Sequence, residues 1–239
     1  MGWRRGRSDR YHDVEASMTD FELQSGDLLV RASFPEPVFD LFQDFPDLGQ
    51  RLHRSLATYG AGLGDMKFEG TWGSLGDAHL SVSFLRLSAV LRVRLDQIEL
   101  HCFDARNLQE DDLAAVFVRT SQVLVEHDPA PAVASYSLAV GLHGLLAGVT
   151  AATFIERFVS AKDLQLGPPS GVGTVLYFGP SKGRSSASVT MDLSALVAGG
   201  LFLRANATWD ASTLDVHALQ SAGREFIDQV TSQLGLAVR

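Results

Sequence analysis

The sequence predicts an α+β protein whose strands form antiparallel meanders, and three observations carry that expectation. Segments of β-rich, partly alternating residues recur between Phe21 and Trp209. Each group of them is followed by a long amphipathic helical stretch, and the same order of elements begins again after the linker DPAPA, residues 128–132. Both halves read strand, helix, antiparallel meander, long helix. That order predicts two related lobes, each with helices packed on one face of its own sheet. The expected organisation is a flexible basic arm over residues 1–19, a first lobe over 20–128 and a second over 129–239.

The elements follow in order. Phe21–Phe34, FELQSGDLLVRASF, has the composition of a strand and is punctuated by Pro35 and Pro37. Val38, Phe39, Leu41, Phe42 and Phe45 then supply an apolar helical face. Pro46 interrupts it, and Leu48, Leu52, Leu56 and Tyr59 resume at spacings of a helical turn. MKFEGTW, AHLSVSFLRL, AVLRVRL and QIELHCF read as strands divided by turns. Between Leu80 and Leu87 apolar residues alternate with Ser81 and Ser83, as in a sheet with one wet face. Asn107 and Glu110 have the spacing of a capping box for a helix over Leu108–His127, whose Leu113, Val116, Phe117, Val123 and Leu124 face a core. The acidic first turn, Glu110, Asp111 and Asp112, is what the positive end of a helix dipole favours.

In the second half VASYSLAVGLHGLL reads as a strand and its exit, and VTAATFIERFVSA as a helix. GVGTVLYF, SASVTMDLSAL and LFLRANATW read as three strands. A closing helix from about Leu214 to Leu234, capped by Ser212 or Thr213, carries Leu219, Phe226, Ile227, Val230 and Leu234 on one face.

Composition narrows the function classes. With 46% hydrophobic residues in 239, the chain can bury a substantial core. Twenty basic against 28 acidic residues give a net charge of −8, a field that repels nucleic-acid phosphates and anionic lipid surfaces. Arg86, Arg92 and Arg94 are the one basic run placed to share a wet sheet face, and Asp96 and Glu99 dilute it. The single cysteine, Cys102, allows neither an internal disulfide nor a multi-cysteine zinc site, which fits a reducing, cytoplasmic setting. MGWRRGRSDR at the start lacks the apolar run of a signal peptide, and Met18 offers a second start that would leave residues 1–17 outside the fold. Leu138–Ile155 is long and uncharged enough to span a bilayer as a helix. Its three glycines, Gly141, Gly144 and Gly148, its mid-segment His143 and the lack of flanking basic clusters favour a strand-to-helix connection instead.

QIELHCFDARNLQEDDLAAVF, YSLAVGLHGLL with the helix after it, and LDVHALQSAGREFIDQVT together resemble a sporadically distributed family of uncharacterised bacterial proteins of about this length with two α+β halves. The resemblance implies the fold rather than an activity. In that family the opening strand of the second half carries an Arg-Tyr-x-Asn type of polar signature. Here Val140, Gly141, Leu142 and His143 stand there, so no role of that strand is carried over.

The most site-like stretch is FGPSKGRSSAS, Phe178–Ser188. A phosphate-binding loop requires GxxxxGK[ST] between a strand and a helix, and this stretch lacks that spacing, precedes a strand, and loses a backbone donor at Pro180. It reads as a hairpin tip, with permissive dihedrals at Gly179 and Gly183, from which Lys182 and Arg184 project as a contact for an anion or a partner. No G-x-S-x-G elbow and no HExxH occurs. His101 and Cys102 are strand neighbours pointing to opposite faces, so they do not form a dyad. The expectation is a cytoplasmic, non-enzymatic protein-binding or assembly component that uses no metal or cofactor and meets a protein partner or its own copies. The alternative is a small-molecule binder or enzyme with a helix-grip-like cavity, and a further one is membrane association through residues 138–155.

Overall fold

The computed structural model describes residues 18–43, 45–71, 74–104, 106, 109–126, 130–159 and 173–239. The protein is α+β, built on one large, almost wholly antiparallel sheet with a few helices. Strand β1, Thr19–Ser33, leads through a 3-10 turn, Phe39–Phe42, to helix α1, Phe45–Leu56. Strands β2, Met66–Thr71, β3, Ser74–Phe84, β4, Ala89–Arg94, and β5, Gln97–Cys102, form the first meander, and helix α2 spans Glu110–Val125. Strand β6, Ser135–Leu146, helix α3, Ala151–Glu156, and strands β7, Thr174–Phe178, β8, Arg184–Leu193, and β9, Leu201–Asp210, follow. Helix α4, Leu219–Leu234, and a short strand β10, Leu236–Val238, close the described chain.

The sheet order is β2-β3-β4-β5-β1-β6-β9-β8-β7, and β10 lies parallel to β1. The sheet runs across both halves of the chain, because β1 pairs with β6 from Phe21↔Leu146 to Ser33↔Ser135. The two meanders therefore belong to a single sheet, where the sequence suggested one for each half. The reason is that β1 offers a full edge on both sides. It gives Leu28–Ser33 to β5, and its other edge, over nearly its whole length, to β6. β10, unforeseen in the sequence, takes the stretch that β5 leaves open, pairing Thr19–Phe21 with Leu236–Val238.

A bulge explains why β1 alternates only in part. The register with β6 shifts between Leu23 and Ser25, so one residue is inserted into β1 there. Phe21 and Leu23 are in phase with each other, as are Leu28, Val30 and Ala32, and the insertion brings both sets to the same face despite the odd spacing. That face is continuous with Ile98, Leu100 and Cys102 of β5 and with Leu201, Leu203, Ala205 and Ala207 of β9, in one buried cluster that also takes in residues of all four helices. Helices α2, α3 and α4 contact β5, β8 and β9.

Helices α1 and α2 keep the faces expected of them, but the apolar face expected over residues 38–45 does not form: Phe39–Phe42 is a 3-10 turn in which Leu41 is buried and Phe39 is 58% exposed. Leu113, Val116, Phe117, Val123 and Leu124 of α2 are all buried, as are Leu48, Leu52 and Leu56 of α1. Pro46 sits in the first turn of α1, where its missing N–H costs nothing, so it starts that helix rather than interrupting a longer one. The capping pair Asn107 and Glu110 includes a residue outside the described set. At the closing helix the first turn is 3-10, Val216–Ala218, and its cap is Asp215, whose Oδ1 accepts from His217 N–H at 2.7 Å, in place of Ser212 or Thr213.

The stretch Leu138–Ile155 divides into the end of β6, a turn at Gly148 (φ 74°) and α3. Among the described residues no helix is long and apolar enough to cross a membrane. Two of its glycines answer to packing. A Cβ on Gly144 would lie 2.3 Å from the Glu22 carbonyl oxygen and 2.8 Å from the ring of fully buried Phe21; one on Gly141 would lie 2.4 Å from Asp27 Oδ1.

Candidate functional site

The hairpin tip is a two-residue turn. Ser181 and Arg184 exchange both backbone hydrogen bonds at 3.0 Å, and the residues between them, Lys182 (φ 50°) and Gly183 (φ 77°), are both left-handed. Gly179 does not have positive φ, so the second permissive position falls on Lys182. The two cations part company there. Lys182 is exposed and its Nζ donates to Glu225 Oε1 of α4 at 2.8 Å, which holds that carboxyl below its usual range. Arg184 does not project from the tip: it is only 9% exposed and its guanidinium lies 4.7 Å from the centre of the Phe226 ring. Arg184→Ala is expected to lose about 1–2 kcal/mol of stability through this packing. Lys182→Glu should leave the denaturant midpoint unchanged, since its pair is solvent-screened.

On the face of the sheet away from the buried cluster, polar residues of neighbouring strands stand in rows. Arg92 of β4, Glu99 of β5 and Arg31 of β1 are directly opposed, with both guanidinium groups 3.0 Å from the Glu99 carboxylate. Burial works against the Glu99 charge, but the hydrogen bonds and charges of Arg31 and Arg92 outweigh it and hold the carboxyl below its usual range. Arg86 is not part of this face, because it pairs with Asp112 of α2 at 2.8 Å. Glu99 therefore contributes stability that is complete above its unfolded-state pKa and is lost as pH falls through its lower folded value. Glu99→Gln, which leaves two arginines facing a neutral group, should cost about 1–3 kcal/mol at neutral pH and flatten the acid limb of the stability curve. Equal slopes of denaturant midpoint against pH in both proteins would contradict this.

The same face carries His101, whose Nε2 lies 3.4 Å from Asp27 Oδ2, and His143, stacked on Phe202. Ser194 Oγ accepts from the N–H groups of Leu196 and Val197, so its own proton is the one shared with His143 Nδ1 at 2.8 Å. Burial lowers the His143 pKa, and Asp27 offsets only part of that. Ser194 thereby holds the turn after β8, its oxygen engaged by two backbone N–H groups. Cys102 points the other way into the core, 2% exposed, its thiol pKa raised by burial. Among the described residues no three His, Cys, Asp or Glu side chains are placed to hold a metal ion together.

The feature that stands out is a cleft of about 980 Å³ bounded by β1, β6, α2 and α4. Its floor is Leu23, Leu28 and Val30 of β1 with Leu138, Val140 and Leu142 of β6. Leu113, Ala114, Phe117 and Val118 of α2 form one wall, and Leu219, Gly223 and Ile227 of α4 the other. Incomplete burial along this floor marks the space. Ile98 and Leu203, on the adjoining strands β5 and β9, are 1% exposed, whereas Leu138, Val140 and Leu142 keep 7–8% and Leu28 and Val30 are half-buried. The helices are tied across the cleft by the first turn of α2. Glu110 is bound by Arg224, and Asp111 accepts from Gln220 Nε2 at 2.9 Å. The acidic turn thus has specific partners as well as a helix dipole to oppose.

Sequence reasoning missed this cleft because its walls come from opposite halves of the chain. A signal was present: Ala114, Ala115 and Gly223 put small side chains on the inner faces of two otherwise bulky helices. Lys182 and Arg184, the residues singled out by sequence, do not line it. The sequence matches no family model, and no curated protein is similar to it.

Proposed function

We propose that this protein is a non-catalytic binding protein that holds an apolar molecule in the cleft between α2 and α4. The observation that carries the reading is the incompletely covered apolar floor of β1 and β6, in a space of about 980 Å³, a size suited to a small organic ligand. We further infer two related lobes, each strand–helix–meander–long helix with its helices on one face. Support comes from the strand order, which reads as a near-palindrome about β1 and β6 with β5, β4 and β3 answering β9, β8 and β7. In that scheme α2 and α4 are equivalent helices, and the cleft is the space left where the two lobes adjoin.

The test is titration with N-phenyl-1-naphthylamine, a neutral dye that brightens in apolar surroundings. One saturable site per chain is expected. Fluorescence that rises without saturation, or not at all, contradicts the proposal.

A second reading, a protein-binding or assembly component, is favoured by β7. Among the described residues this strand pairs only with β8, and it exposes Val175 and Tyr177, the latter 83%. Such an edge accepts a further strand from a partner or another copy. Light scattering of the wild type and of Val175→Lys would test it: a dimer reduced to monomer supports edge pairing, and monomers throughout oppose self-assembly there.

A further inference from the structure

The charges that line the cleft are unevenly distributed, and this gives the ligand a polarity. Glu110, Asp111 and Asp228 all act on one cation. Glu110 binds Arg224 directly, and Asp111 and Asp228 lie near enough to hold its proton more tightly. That guanidinium is thereby already satisfied. Arg119 differs. It sits on the same helix as Glu110 and Asp111, about two turns further on, and among the described residues it has no hydrogen-bond or ion-pair partner although it lines the cleft. Gln122, three residues on and so on the same side of α2, adds an amide beside it. One part of the rim thus repels anions, and another presents an uncommitted guanidinium, the side chain best matched to a carboxylate or phosphate fork.

The floor between them is long and apolar. From Leu23 to Val30 it follows β1 for roughly 20 Å at about 3.3 Å per residue, with Leu138, Val140 and Leu142 alongside on β6. A compact ligand would leave much of that strip wet, whereas an extended alkyl chain would cover it.

Resting on the cleft reading above, we propose that the ligand is an anionic amphiphile, an alkyl chain along the β1–β6 floor with a single acidic head group against Arg119 and Gln122. The chain supplies area and the head supplies orientation, because reversing the molecule would bring its charge to Glu110, Asp111 and Asp228.

The experiment displaces N-phenyl-1-naphthylamine from the full-length chain with decanoate, decanol or decyltrimethylammonium at neutral pH. Decanoate should displace at least about tenfold more tightly than decanol, with the cation weakest. Arg119→Gln should abolish the difference between decanoate and decanol while leaving decanol unchanged, and Arg119→Lys should restore part of it. Because Arg119 is exposed on a helix surface, neither substitution threatens folding. Equal displacement by decanoate and decanol in the wild type, or a preference that survives Arg119→Gln, overturns the head-group assignment while the cleft stands. Failure of the dye itself to bind overturns the cleft reading and this inference with it.

Discussion

Gly144→Val is expected to lower the melting temperature by on the order of 10 °C, equivalent to about 3 kcal/mol or more. Gly144 lies on β6 opposite Leu23 of β1, beside the bulge that sets the phase of β1. The added Cβ would fall 2.3 Å from the Glu22 backbone oxygen and 2.8 Å from the Phe21 ring, distances that no rotamer relieves because the first obstacle is backbone. The strand can yield only by giving up part of the β1–β6 pairing, which among the described residues is the longest ladder in the sheet and the one that joins the two meanders. A thermal melt of purified protein measures the effect. A change under about 2 °C would mean that β1 and β6 do not pair in this register. Gly148→Ala provides the comparison. There a Cβ meets nothing within 4 Å and the cost is confined to positive φ, so a smaller loss of about 1 kcal/mol is expected.

Ile227→Trp is expected to weaken N-phenyl-1-naphthylamine binding at least about tenfold while leaving the melting temperature unchanged or slightly raised. Ile227 is half-buried on α4 and borders the cleft, whereas its neighbours Phe226 and Val230 are buried in the core. A larger side chain at 227 can enter the open space, fill part of its roughly 980 Å³ and cover apolar floor that solvent now reaches. The same enlargement in a filled sheet–helix interface would overpack it and destabilise the protein. Binding and stability measured on one variant therefore separate an open cleft from a packed core. Unchanged binding would place the dye elsewhere, and a sharp loss of stability would mean that the space is not there.

How much of this was legible in the sequence depends on the range of the interactions involved. Local signals served well. The glycine-rich run announced the hairpin tip, although the turn falls on Lys182 and Gly183 rather than on Gly179 and Gly183, and the spacing of Leu113, Val116, Phe117, Val123 and Leu124 announced the inner face of α2. The strands of both meanders lie close to where their composition put them, except that β3 stops at Phe84, where Leu85–Leu87 turns into a 3-10 helix, and β8 stops at Leu193. Features set by distant partners were not legible. Arg184 reads as a free tip cation until Phe226, far along the chain, is found beneath it. Glu110 and Asp111 read as dipole-stabilising residues, and nothing nearby in sequence points to Arg224 and Gln220. The union of two meanders into one sheet depends on β1 using both edges, which its residues permit and do not announce. The cleft is the most remote consequence of all, since it exists only once β1 and β6 are side by side and small residues on α2 and α4 leave the floor open.

The most direct test of the central claim is to find where an apolar ligand sits. A ten-carbon alcohol carrying a diazirine at its far end, irradiated with the folded protein and mapped by peptide mass spectrometry, reports the residues it touches. Adducts should fall on Leu23–Val30, Leu138–Leu142, α2 and α4, and excess N-phenyl-1-naphthylamine should suppress them. Adducts confined to the sheet edges at β2 and β7, or adducts on the cleft peptides that the dye does not suppress, would contradict the claim that this cleft is the binding site.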